Sequence, residues 1–183
     1  MKQNEIIHMW TYQNLAVILK KYFKSATLFK YGFNWSPMYR RSTGKIVSVS
    51  EDLHQIQIKI PLSYKNRNYV GSIFGGSLFA ATDPILMVQL FNILGDAYVV
   101  WDKSAEIKFK KPVREDVYAF FEFTNSEIET IKTSISLHPE LEITKQVYIT
   151  NPDQKIIYCD IRKVIYIADK QYYRNKIRNR SQS

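Results

Sequence analysis

Residues 75–95 constrain the fold more than any other part of the chain. Gly75-Gly76 opens a run, residues 77–94, that is apolar almost throughout, carries Asp83 as its one charge and stops at Gly95. Such uniform apolarity predicts a helix buried on most sides, with Gly95 as its C-terminal cap. Pro84 follows Asp83 directly and admits two readings. Either Asp83 is the N-cap of a helix starting at Pro84, or the helix starts at Gly75 and kinks at Asp83-Pro84, where an interior proline costs roughly 3 kcal/mol. The helix formers Leu78-Phe-Ala-Ala81 favour the kinked helix. In that case the first N–H groups, at Gly75-Gly76, lack intrahelical partners and point outward. Asp83, seven residues past Gly76, falls on nearly the same face.

Upstream, residues 10–33 read as an amphipathic helix. Leu15, Ile18, Leu19, Tyr22, Ala26, Phe29 and Phe33 share a stripe, with Lys20, Lys21, Lys24 and Thr27 opposite. Asn34-Trp-Ser-Pro37 breaks it. From Gly44 the period becomes two: residues 45–50 and 55–60 predict a hairpin turning at Ser50-Glu-Asp52 and ended by Pro61. Downstream of Gly95 the chain reads as mostly β. Residues 97–111 alternate, placing Val99, Trp101, Ala105, Ile107 and Phe109 on one face and Asp102, Glu106, Lys108 and Lys110 on the other. Asp102 and Lys103 read as a local ion pair. Residues 117–124 form the next strand. Residues 126–138 form a short helix with a Ser126–Glu129 capping box and an Ile128, Ile131, Ile135 stripe, stopped by Pro139. Strands over 142–150 and 155–168 follow, around the turn Asn151-Pro-Asp-Gln154, and a frayed basic tail starts at Lys170. The domain reading is a helix and linker over 1–39, one α+β domain over 40–169 and the tail over 170–183. A long helix followed by antiparallel strands predicts a sheet wrapped around it. Its edge strands need covering or pairing, which a homodimer provides.

Charge narrows the function classes. The net +9 is carried by the flanks: residues 1–45 hold eight Lys/Arg against one acid, and residues 170–183 hold five against none. The middle is mildly acidic, so a nucleic-acid partner is not expected, and solvated ends or weak membrane-surface contact through residues 10–33 account for the bases. One cysteine, Cys159, excludes an internal disulfide framework and fits a reducing, cytoplasmic setting; within an apolar strand it reads as an inert core thiol. His8, His54 and His138 show no metal-ligand spacing. The start Met-Lys-Gln-Asn-Glu does not resemble a signal peptide, and the apolar runs read as short of the about 20 residues that cross a bilayer.

The spacing Asn68, then Phe74-Gly75-Gly76, then Asp83 resembles the hotdog-fold thioesterases, particularly the phenylacetyl-CoA thioesterase group. There the pattern is Asn, His-Gly-Gly six residues on, and Asp seven past the second Gly; here Phe74 stands in place of the His. Ile107-Lys-Phe-Lys-Lys-Pro112 with Asp116-Val117 resembles the same superfamily. The nearest likeness is to a hotdog family of unassigned function that shares Asn…Val-Gly…Phe-Gly-Gly…Asp-Pro and Val-Trp-Asp-Lys. The resemblance spans about residues 40–168. It implies a hotdog fold, a homodimer or homotetramer and an acyl-CoA site at the dimer interface. It further implies that Gly75, with Gly76, polarises the thioester carbonyl. By the same resemblance, Asp83 from the partner subunit would act as general base or nucleophile, and Asn68 would position water or substrate. An acid inside an apolar run is expected to be shifted upward by burial, as a base requires. Phe74 falls at the site entrance, and Lys108, Lys110 and Lys111 are candidates for CoA phosphates. No metal or cofactor is implied; CoA enters only as part of the substrate. The alternatives are a non-catalytic acyl- or acyl-CoA-binding hotdog protein and, further off, an adaptor working through the basic ends.

Overall fold

Two short helices open the computed structural model, which describes residues 24–180. They are α1 (Ser25–Trp35) and α2 (Pro37–Arg41). Of the helix expected over 10–33, the described part runs from Ser25 to Trp35, two residues further than predicted. It starts behind an extended Lys24 (φ −60°, ψ 144°), which corrects the expectation of a continuous helix through residue 24; residues 10–23 lie outside the described residues. The break falls at Ser36, extended at φ −56°, ψ 125°, because Pro37 disfavours a helical residue before it. Pro37 then serves as the first residue of α2. Strands β1 (Lys45–Val49) and β2 (Gln55–Ile60) form the predicted hairpin. Asn34 ties α1 to it, its amide donating to the Ile46 carbonyl (2.9 Å) and accepting from the Ile46 N–H (2.8 Å).

The long helix follows as α3 (Gly75–Thr82) and α4 (Ile85–Leu94), then β3 (Tyr98–Phe109), β4 (Val117–Glu122), α5 (Asn125–Leu137), β5 (Glu140–Thr150), β6 (Ile157–Asp169) and α6 (Lys170–Arg180). All strands pair antiparallel in the order β1-β2-β4-β5-β6-β3, so β1 and β3 are the edges. One core joins Leu78, Ala81, Ile85, Leu86 and Leu90 of the helix to the inward residues of the sheet, among them Ile56, Ile58, Phe121, Ile161, Ile165 and Ile167. Each fully buried Leu or Ile contributes about 1.5–3 kcal/mol.

At the kink Asp83 (φ −55°, ψ −53°) and Pro84 (φ −79°, ψ −11°) both keep right-handed helical backbone. The kinked reading therefore holds, and Asp83 is not an extended N-cap. The same helix is less enclosed than its composition predicts. Gly76, Ala80 and Phe91 are exposed, and Asp83, Pro84 and Met87 are half-buried; the spacing places all six on one outward stripe. The run Gly75–Leu94 also reaches 20 residues at a mean hydropathy of 1.4, long and apolar enough to cross a bilayer, contrary to the shorter estimate from sequence. Its other face lies in the core of the sheet.

Three further expectations are corrected. A β-bulge between Asp102 and Ser104 shifts the parity of β3: Asp102 pairs with Ile165, and Ala105, Ile107 and Phe109 pair with Lys163, Ile161 and Cys159. Asp102 thus shares the inner face with Ala105 and Ile107, whereas simple alternation opposes them. The capping box of α5 is Thr124–Glu127, with the Thr124 hydroxyl accepting the Glu127 N–H at 3.2 Å and Glu127 accepting the Thr124 N–H at 2.8 Å. The Ile128, Ile131, Ile135 stripe is buried as expected. The basic end is the helix α6, not a frayed tail. Asp169 accepts the Tyr172 N–H at 2.8 Å, and Glu140 pairs with Lys176 and accepts from the Tyr172 hydroxyl at 3.3 Å. These contacts outweigh the repulsion among its bases.

Candidate functional site

The loop before α3 is held by two asparagines. Buried Asn66 donates to Thr43 Oγ1 (2.7 Å) and the Pro61 carbonyl (2.9 Å), and its side chain accepts the Ser63 N–H (2.9 Å). Asn68 Oδ1 accepts the N–H groups of Val70 (3.1 Å) and Ser72 (3.0 Å), and its Nδ2 donates to Ser72 Oγ (2.9 Å). Such Asx turns fix a loop locally. Gly71 completes the turn at φ +81°, a left-handed conformation that only glycine adopts without penalty. The amide of Asn68 is therefore engaged inside its own loop.

The loop delivers Phe74 extended (φ −59°, ψ 130°) to the start of α3, which has no side-chain cap. Among the described residues the Gly75 and Gly76 N–H groups have no hydrogen-bond partner, so two oriented donors stand at the positive end of the helix. Two exposed aromatic rings, Phe109 and Phe74, lie close over these glycines and would have to swing aside for a larger residue. A Cβ on Gly75 would lie 2.9 Å from Phe109 Cζ, and one on Gly76 would lie 2.2 Å from Phe74 Cε1. Gly75 lines a cleft of about 410 Å³ between this helix start and the end of β3, with Ser72, Ile73, Leu78, Phe109, Lys110, Lys111, Pro112 and Val113. Phe74 and Phe109 are exposed aromatics beside it.

The lysines divide. Lys110 and Lys111 line the cleft, Lys110 also facing Asp160 at 3.3 Å. Lys108 does not line it and faces Glu106 at 3.5 Å. Asp116 holds the neighbouring turn, accepting the Leu62 N–H at 2.9 Å and pairing with Lys59 at 2.7 Å.

Asp83 lies at the other end of α3. Its carboxylate is not enclosed by apolar neighbours: the side chain is 46% exposed, and Oδ1 accepts from Lys163 Nζ at 3.0 Å. Lys163, on β6, is 1% exposed and carries three donors. They reach Asp83 Oδ1, the Asp83 backbone carbonyl and Asp102 Oδ2, the last at 2.6 Å. Asp102 therefore pairs with Lys163 and not with Lys103, which pairs with Glu142. Asp102 Oδ1 is buried without a partner. Burial holds the Asp102 carboxyl above the ordinary carboxylate range, reinforced by the neighbouring Asp83 charge and opposed by the Lys163 ammonium.

The triad Asp83–Lys163–Asp102 is absent from the sequence expectations. One signal for it exists: the odd-numbered positions of β6 from Cys159 to Ile167 are buried, and Lys163 is the one cation among them. A cation at a core position demands a buried anion. The bulge at Lys103 supplies it.

The structure thus brings Gly75, Phe109, Lys110 and Lys111 together at the cleft and puts Asp83 elsewhere. Eight residues of helix separate Asp83 from Gly75, about 12 Å along the axis. Reacting groups must approach to about 3–3.5 Å, so one protomer does not bring both to one carbonyl. Cys159 is fully buried, and burial pushes its thiol up to about 11.

The fold is similar to several solved structures. A protein of unknown function from Pseudomonas aeruginosa, described as a "Probable Thioesterase", superposes with a TM-score of 0.69 at 15% identity, over 78% of this chain and 95% of that one. A protein of unknown function from Chlorobaculum tepidum superposes at 0.63 and 16% identity, over 77% and 92%. A thioesterase from Haemophilus influenzae superposes at 0.56 and 15% identity, over 75% and 87%. At these identities they show the fold alone, a hotdog. No curated protein matches the chain in sequence. The family model described as "Domain of unknown function (DUF4442)" matches residues 25–165. The chain belongs to that family, a hotdog-fold family without an assigned function.

Proposed function

We propose that this protein is an acyl-CoA thioesterase whose site forms between two copies of the chain. One observation carries the reading: of two unpaired helix N–H donors, at Gly75 and Gly76, the first lines a cleft, and a half-exposed carboxylate lies on the outward stripe of the same helix. In an antiparallel pair of such helices, Asp83 of one copy faces the Gly75 end of the other. The outward stripe of Gly76, Ala80, Met87 and Phe91 offers a small-residue and apolar surface for that approach. The twelve-residue edge strand β3 offers a second, since an uncovered edge of that length favours pairing.

The chemistry follows from the groups. The Gly75 and Gly76 N–H groups receive the thioester oxygen and stabilise the charge that develops there. Asp83 takes a proton from water as its oxygen bonds to the acyl carbon; the C–S bond then breaks and CoA leaves as its thiol. Direct attack by Asp83, giving a mixed anhydride that water opens, yields the same products: one carboxylic acid and one thiol per water consumed. Lys110 and Lys111, which line the cleft, would meet CoA phosphates, Phe109 supplies an apolar wall, and the exposed Phe74 stands just before the helix start. The likeness of this fold to solved structures named thioesterases supports a thioester substrate. Asn68 shapes the loop that presents Gly75.

The test is a panel of acyl-CoA thioesters of graded chain length, with released thiol titrated by a chromogenic disulfide. Turnover on at least one member is expected, and its absence on every member overturns hydrolysis. The second reading, acyl-CoA binding without hydrolysis, is favoured by the pairing of Asp83 with Lys163, which gives the acid a structural role. It predicts saturable binding of acyl-CoA with no thiol release.

A further inference from the structure

We infer that Lys163 is a positioning residue for Asp83 and that Asp102 anchors it, an assignment that rests on Asp83 being the reactive acid of the site. Lysine is almost never fully buried without partners, and Lys163 is 1% exposed. Its three N–H bonds are all accounted for, and two go to the same residue: the backbone carbonyl and Oδ1 of Asp83. A two-point hold fixes both the backbone at the α3–α4 break and the rotamer of the side chain. Asp83 Oδ2 has no partner among the described residues. One oxygen is therefore clamped and the other presented, as a general base or nucleophile needs.

The break makes the clamp possible. The helix is interrupted between Thr82 and Ile85, and no backbone N–H among the described residues donates to the Asp83 carbonyl. A side-chain donor from the sheet takes up the Asp83 carbonyl there. Asp102 completes the arrangement from the opposite side. It reaches Lys163 only because the bulge after it changes the parity of β3, and bulges of this kind re-aim side chains next to active sites. Two irregularities in different elements, a proline break and a bulge, thus converge on one ammonium group. Neither is needed for a charge-free core, in which apolar residues at 102 and 163 would pack without penalty.

The test uses the full chain with Lys163→Met/Asp102→Asn, which removes the clamp without stranding a buried charge, beside Lys163→Met alone. The first readout is kinetic on an acyl-CoA that the wild type turns over. The expected result for the folded double variant is a kcat lower by about 10–100-fold, the range for supporting residues, with KM changed by less than about two-fold. The second readout needs no turnover: three-bond side-chain couplings of Asp83, which report whether χ1 occupies one rotamer. The wild type is expected to show one and both variants an average. A folded variant with unchanged kcat, or an Asp83 rotamer that stays single without Lys163, overturns the assignment. Loss of the single rotamer in a protein that hydrolyses no acyl-CoA upholds the clamp and rejects the thioesterase reading instead.

Discussion

Replacing Lys163 by methionine leaves the shape of the core nearly intact and removes the one buried cation among the described residues. The two partners respond differently. Asp83, 46% exposed, regains water on its free side; Asp102, 24% exposed with one oxygen already buried and unpartnered, does not. Removing one partner of a buried pair costs about 3–5 kcal/mol. At about 2–4 °C per kcal/mol for a domain of this size, Tm falls by roughly 6–20 °C. Lys163→Met/Asp102→Asn restores most of that loss, because no carboxylate is stranded. The pH dependence has a defined sign. Burial raises the Asp102 carboxyl in the folded state, so between the ordinary carboxylate value and the folded one the native protein holds a proton that the unfolded chain has lost. Stability therefore falls as pH rises through that window. Without Lys163 the folded value rises further, so the deficit of Lys163→Met grows with pH and shrinks in acid. Urea unfolding between pH 4.5 and 8.5, read as the midpoint at constant m, measures it. A deficit independent of pH, or one that Asp102→Asn fails to relieve, refutes the electrostatic reasoning.

Asp83→Asn keeps the Lys163 contacts through its carbonyl oxygens but removes the base; acyl-CoA turnover should fall by about 10²–10⁴-fold with folding preserved, and thiol release measures it. Asp169→Ala removes the cap on the Tyr172 N–H and should cost about 0.5–2 kcal/mol, read as faster amide exchange confined to residues 170–180. Gly71→Ala forces a side chain into φ +81°, at about 1–2 kcal/mol. Its displaced loop should weaken acyl-CoA binding more than it lowers Tm. Cys159, shifted up to about 11 by burial, should resist alkylation at pH 8 in the native protein and react readily in urea.

The elements visible in the sequence are those set by local periodicity or by proline and glycine. The hairpin, the 75–94 helix, the Ile128–Ile131–Ile135 stripe and the Asn151–Gln154 turn all appear where such patterns put them. The misreadings share another cause, since each was decided by a contact distant in sequence. The bulge at Lys103 depends on pairing with β6, 60 residues on, and reverses the faces of half of β3. The tail becomes α6 because Glu140, from another strand, gathers Lys176 and Tyr172. The capping box lies at Thr124 and not Ser126, although both positions carry a hydroxyl residue followed three later by Glu; the end of β4 at Glu122, set by its pairing with Gln55 of β2, decides between them. Of the candidate site, the Gly75-Gly76 start and Asp83 were legible from spacing, whereas Lys163 needed the fold to bring β6 under the helix break.

Whether Asp83 of one copy serves the Gly75 end of another is measured most directly by mixing subunits. Asp83→Asn and Gly75→Leu chains, each inactive alone, are unfolded together in equal amounts and refolded. Random pairing makes half of the dimers mixed, each with one intact site, so roughly a quarter of wild-type acyl-CoA hydrolysis should return. A refolded mixture as inactive as either parent would contradict a site shared between subunits.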